Sequence, residues 1–114
     1  MKIEKFEDII SWQKSKKLTL LIYKTMNSCK DYSYRDQLQR ASVSIMNNIA
    51  EGYERRTNND FRHFLYIAKG SSGECRLLLD LGSELGYLTK SEYQEMYNLS
   101  VETSKLLSGL IKTL

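Results

Sequence analysis

Apolar residues recur along this chain at intervals of three and four, the spacing that places them on one side of an α-helix. Leu18, Ile22, Met26 and Cys29 follow it, flanked by Ile9, Trp12 and Tyr23, and predict a first helix over about residues 8–28. Ser33, with Asp36 three residues on, has the pattern of an N-cap and its acid, and opens a second helix running to about residue 55. A third is predicted over about 58–85: Thr57 or Asn58 caps it and Asp60 sits in the first turn, where the helix dipole favours an acid. Gly86 supplies the left-handed residue that commonly closes a helix. Thr89-Lys90-Ser91-Glu92 is a capping box for a fourth over about 90–113. Connections this short force successive helices antiparallel. The expected architecture is all-α, an up-down-up-down four-helix bundle forming one domain over residues 1–114.

The second helix carries more apolar surface than a bundle needs. Leu38, Ala41, Ile45, Ile49 and Gly52 form one stripe, and Val43, Met46, Ala50 and Tyr53 form another displaced by roughly 120°. The second stripe implies burial against something besides the bundle core, most simply another subunit. A broad core-facing helix in a tight monomer is the competing reading. The third helix has an inner stripe of Phe61, Phe64, Leu65, Ala68, Ser72, Cys75, Leu79 and Gly82. It also carries Gly70-Ser71-Ser72-Gly73, where each glycine costs roughly 1 kcal/mol relative to alanine. Close packing of another helix is the expected reason. A phosphate loop is a poor fit, because no strand precedes this mid-helix cluster.

The composition agrees with long helices and short loops: there is no proline in 114 residues. No apolar run approaches the ~20 residues of a membrane-spanning helix. Acidic Glu4, Glu7 and Asp8 occupy the stretch where an export signal would be apolar, so a cytoplasmic location is expected and no membrane partner. Cys29 and Cys75 lack metal-ligand spacing and are expected to be two small buried hydrophobes. Net charge is +3 but uneven. Residues 1–76 hold 14 Lys/Arg against 9 Asp/Glu, a net +5, and residues 77–114 hold 3 against 5, a net −2. A basic front two-thirds is compatible with an anionic partner.

Candidate chemistry is sparse. His63 is the sole histidine, and Asp60 with His63 gives one copy of a spacing that bundle metal sites need twice, so a cap and a surface histidine are expected and no metal or cofactor. No nucleophile can be matched to a base and an orienting acid, so no enzyme and no catalytic residues are expected. Ser44, Asn48, Glu51 and Arg55 fall on one edge of the second helix. Together with Glu74 from the third, Ser44, Asn48 and Glu51 make a polar set, read either as a register-fixing junction at a helix or subunit boundary or as the lining of a site. Arg62, Lys69 and Arg76 recur every seven residues down one face of the third helix. With Arg55 and Arg56 at the preceding loop and Lys14 and Lys17 on the first helix, they are candidates for a phosphate-binding track, which Asp80 and Glu84 would truncate. A solvated charged face is the plainer alternative.

Ser44-Ile45-Met46-Asn47-Asn48-Ile49-Ala50-Glu51-Gly52-Tyr53, with Phe6-Glu7-Asp8 and Trp12-Gln13-Lys14 before it, strongly resembles a bacterial four-helix-bundle family, the proteins often encoded by intervening sequences of large-subunit ribosomal RNA genes. Phe61-x-x-Phe64-Leu65-x-Ile67-Ala68-Lys69-Gly70-Ser71 and Leu85-Gly86-Tyr87-Leu88 match it too, over residues 6–111 in all. Met46 stands where the family usually has proline. The resemblance implies a left-handed bundle assembling as a ring-like homopentamer. It also implies similarity to the accessory protein of diversity-generating retroelements, a basic pentamer that binds nucleic acid and the reverse transcriptase. Asn48, Glu51, Gly52 and Glu74 match recurrent family positions to which no catalytic role attaches. The expected function is therefore a non-enzymatic homo-oligomer, a pentamer, that engages RNA or DNA, and a reverse transcriptase if encoded beside one. A structural or protein-interaction module is the alternative.

Overall fold

A computed structural model describes residues 2–114. A single 3-10 turn, Phe6–Asp8, precedes four helices: α1 (Ile10–Met26), α2 (Tyr32–Tyr53), α3 (Asn58–Glu84) and α4 (Lys90–Lys112). Among the described residues each helix packs on two neighbours in the cyclic order α1, α2, α3, α4 and back to α1. The bundle measures 43 × 23 × 19 Å. At 1.5 Å per residue, the 27 residues of α3 cover about 40 Å, so this helix alone spans the molecule.

In α1, α2 and α3 the core is built from the inner stripes the spacing predicts, and α4 completes it. Leu18, Ile22 and Met26 of α1, Leu38, Ile45 and Ile49 of α2, Leu65 and Leu79 of α3, and Met96 and Leu107 of α4 are fully buried. Fully burying a side chain of this size is worth roughly 1.5–3 kcal/mol, so these positions carry most of the drive to fold. Thr57 accepts the Asp60 N–H at 3.1 Å to start α3. Thr89 and Glu92 form the reciprocal box that starts α4, at 3.1 and 2.9 Å. Gly86 adopts φ +77° just past α3.

Four local expectations need correction. Asp31, not Ser33, caps α2: its carboxylate accepts the Tyr34 N–H at 3.1 Å, and Ser33 lies exposed in the first turn. The same carboxylate accepts the Tyr87 hydroxyl at 2.7 Å, so the cap also ties the first loop to the third. These two hydrogen bonds, the tyrosine's first, hold the Asp31 carboxyl below its ordinary range. Second, α1 starts at Ile10 rather than Asp8. Asp8 is occupied elsewhere, accepting the N–H groups of Glu4 (3.0 Å) and Lys5 (3.3 Å) to close the 3-10 turn. Third, Cys75 is buried as expected but Cys29 is only half-buried, because α1 ends at Met26 and leaves it in a loop. Burial pushes the Cys75 thiol up to about 12.

The fourth correction concerns glycine. Gly70 and Gly73 do not receive a neighbouring helix of this chain: a Cβ on Gly70 would meet nothing within 4 Å, and one on Gly73 only the tip of Arg76 at 3.6 Å. The close approaches are at Gly52 and Gly82. A Cβ on Gly52 would lie 2.6 Å from the Phe64 Cβ, and one on Gly82 would strike the Tyr34 phenol, whose Cζ would be 2.7 Å away. Tyr34 fills that notch and donates to the Leu78 carbonyl at 2.5 Å. Burial pushes its phenol up to about 12. Between Gly70 and Gly73, Ser72 is buried and donates to the Ser100 carbonyl of α4 at 3.0 Å, while half-buried Ser71 faces α2.

Candidate nucleic-acid interface and polar seam

Ser44 projects from α2 toward α3 because it lies one residue before the buried Ile45. It meets Ser71 there, with the two hydroxyls 2.9 Å apart. Asn48, one turn on, donates its amide to the Ser44 carbonyl at 2.8 Å and to the Ser44 hydroxyl at 3.1 Å. Three small polar side chains thus form a seam between the helices at the edge of the core. Each shared bond is worth about 1 kcal/mol net, so the seam fixes register more than it adds stability.

Two hollows adjoin the seam and share Arg40 and Ser44 in their walls. One, about 340 Å³, is lined by Gln37, Arg40, Ala41, Ser44 and Glu74. The other, about 540 Å³, is lined by Tyr23, Arg40, Val43, Ser44, Asn47, Asn48 and Glu51. Of the polar set read from sequence, Ser44 and Asn48 are bonded to each other, and Glu51 and Glu74 are parted into different hollows. Glu51 binds Arg55 at 3.0 Å, one turn along on the exposed surface. Ser71, Arg40 and Tyr23 were not singled out from sequence. Arg40 was within reach of the same reasoning, lying one turn before Ser44 on the same edge of α2.

The seven candidate cations divide. Lys14 pairs with Glu102 of α4 at 3.6 Å, and Arg55 with Glu51. The Arg55 guanidinium also sits over the Phe64 ring, 4.8 Å from its centroid. Arg62 donates to Asn59 at 2.9 Å and to the main-chain oxygen of Leu114, bracing the end of α4 against the start of α3. Lys17, Arg56, Lys69 and Arg76 form no ion pair among the described residues. His63 is exposed and packs edge-on against Phe64, and no group of three metal-ligating side chains occurs among the described residues.

Residues 7–109 match the 23S rRNA-intervening sequence protein family. The chain belongs to that family. A crystal structure of a protein with unknown function from the S23 ribosomal protein family of Bacteroides thetaiotaomicron is similar to this family member at 31% identity. The two agree with a TM-score of 0.84 over 90% of this chain and 98% of the other. No curated protein matches the chain. None of the four helices is long and apolar enough to cross a membrane.

The face that the sequence assigned to subunit contact is partly covered within the chain. Val43, Met46, Ala50 and Tyr53 are all half-buried, and Tyr53 packs edge-on against Phe61 with ring centroids 6.0 Å apart. Other apolar side chains of this intervening-sequence protein are more exposed, among them Leu20 of α1 and Tyr32 of α2. Tyr66, Leu77 and Leu81 stand along the outside of α3, with Leu85 just past its end, and Leu77 has 60% of its surface exposed.

Proposed function

We propose that this protein is a non-enzymatic cytoplasmic homo-oligomer, a pentamer as its family resemblance implies, that binds RNA or DNA through its basic outer surface. One observation carries the oligomer. Tyr66, Gly70, Gly73, Leu77 and Leu81 fall within about 80° on α3, directly opposite the buried Ala68, Ser72 and Leu79. Leucines cost free energy when hydrated, and two glycines cost helix stability without admitting another helix of this chain among the described residues. A second copy laid against that stripe would bury the leucines and use the room the glycines leave.

Light scattering tests this first. A lone particle of 13.3 kDa at micromolar concentration overturns the oligomer. Leu77→Glu is expected to dissociate the assembly while the bundle stays folded. The nucleic-acid reading rests on Lys17, Arg56, Lys69 and Arg76, which form no ion pair among the described residues. Replacing Arg56, Lys69 and Arg76 together with alanine is expected to flatten the plot of log affinity against log salt by about two to three, near 0.9 per lost phosphate contact. Absence of binding even at low salt leaves a protein-interaction module.

A further inference from the structure

The larger hollow beside the seam combines side chains that the bundle itself does not use. Tyr23, 45% exposed on α1, is the one aromatic residue in its wall. Asn47 is exposed and its side chain makes no hydrogen bond among the described residues, so its amide offers both a donor and an acceptor. Asn48 spends its N–H groups on Ser44, which leaves its carbonyl oxygen unfilled. Arg40 reaches back only through Nε to the Asp36 carbonyl, at a long 3.4 Å, and forms no ion pair among the described residues. Glu51 commits one carboxylate oxygen to Arg55 and keeps the other.

We propose that this hollow binds one unpaired nucleobase of a single-stranded RNA or DNA, stacked on Tyr23, its edge read by Asn47 and Asn48 and its phosphate held by Arg40. The proposal rests on the nucleic-acid reading above and narrows it to single strands. A π-face, an amide able to pair with a base edge and an uncompensated guanidinium are the three parts such a site needs. The volume of about 540 Å³ lies within the roughly 300–1,000 Å³ of small-ligand clefts. A base inside a duplex cannot enter, since its faces are covered by its neighbours and its edge by its partner. Val43 also lines the hollow, so any assembly that covers this part of α2 excludes the base. Contact through the outside of α3 leaves it open.

The test is fluorescence anisotropy with the full chain and three labelled probes of equal length: a single-stranded RNA, the same strand with its bases removed, and its duplex. The intact strand is expected to bind about tenfold more tightly than the abasic one, because stacking is worth that much per base. Tyr23→Ala is expected to abolish this difference and leave abasic affinity unchanged, and Tyr23→Phe, which keeps the ring, to restore it. Asn47→Ala is expected to cost a smaller factor on the intact strand alone. Equal affinity for intact and abasic strands overturns the base site and leaves phosphate binding standing. No binding to any probe at low salt overturns both. Displacement of the strand by micromolar adenosine monophosphate overturns the assignment to strands, since it makes the hollow a free-nucleotide site.

Discussion

Two pairs of glycines in this bundle sit in opposite circumstances. Gly52 and Gly82 face inward, and each is answered by an aromatic residue of the same chain: the Phe64 Cβ and the Phe61 ring against one, the Tyr34 phenol against the other. Gly70 and Gly73 face outward, and little or nothing answers them. All four forgo a side chain inside a helix, at similar intrinsic cost. The first pair is explained by the fold and the second is not. A small residue marks a close approach, but it does not say whether the approaching surface belongs to the same molecule.

The sharpest way to break this contrast is Gly82→Ala. Its Cβ would overlap the Tyr34 phenol, and that ring is held by Leu78 and Tyr87, so about 3 kcal/mol of stability is expected to be lost in a denaturant titration. Gly52→Ala is expected to cost a similar amount, because its Cβ would strike the Phe64 Cβ at 2.6 Å and crowd the Phe61 carbonyl at 3.3 Å, both fixed to the α3 backbone, so no change of rotamer relieves the clash. The outward pair should behave with the opposite sign. Gly70→Ala and Gly73→Ala are each expected to stabilise the isolated chain by up to about 1 kcal/mol and to weaken self-association by dilution. If both substitutions leave the assembly intact, the outside of α3 is not where copies meet.

Tyr34→Phe has the smallest expected effect, about 1 kcal/mol at neutral pH, since the Leu78 carbonyl keeps its helical partner. Its signature is in alkali. Tyr34 and Cys75 are held neutral in the fold with pKa values of about 12, against ordinary values of 10.0 and 9.0. Raised values mean that their contribution is complete below pH 9 and disappears as pH climbs through about 12, because the unfolded chain ionises first. The phenylalanine variant should therefore lose stability less steeply above pH 10.

Most of the fold was legible because the apolar spacing is regular and the caps on α3 and α4 are local. Thr57, Gly86 and the Thr89–Glu92 box act within four residues of themselves, so a linear string contains the whole interaction. The α2 cap was misread for the complementary reason: Asp31 is fixed partly by Tyr87, a residue 56 positions away. The seam was half legible. Ser44 and Asn48 share an edge of one helix and announce each other by spacing, whereas Ser71 joins them only through the relative rotation of α2 and α3. Exposure was the hardest property to read. Leu77 and Leu81 have the hydrophobicity of core residues, and only the angle they make with Leu79 puts them outside.

The helices form a closed circuit, with α4 returning to pack on α1, and Ile3 and Thr113 line one groove at its junction. Covalent order around such a circuit is a convention of synthesis more than a demand of packing. Joining those neighbouring extremities through a few flexible residues and opening the backbone at any of the three existing bends would leave every helix with its two companions. Four-fold interchangeability of starting point also means that new termini can be moved to whichever end of the barrel a partner does not occupy.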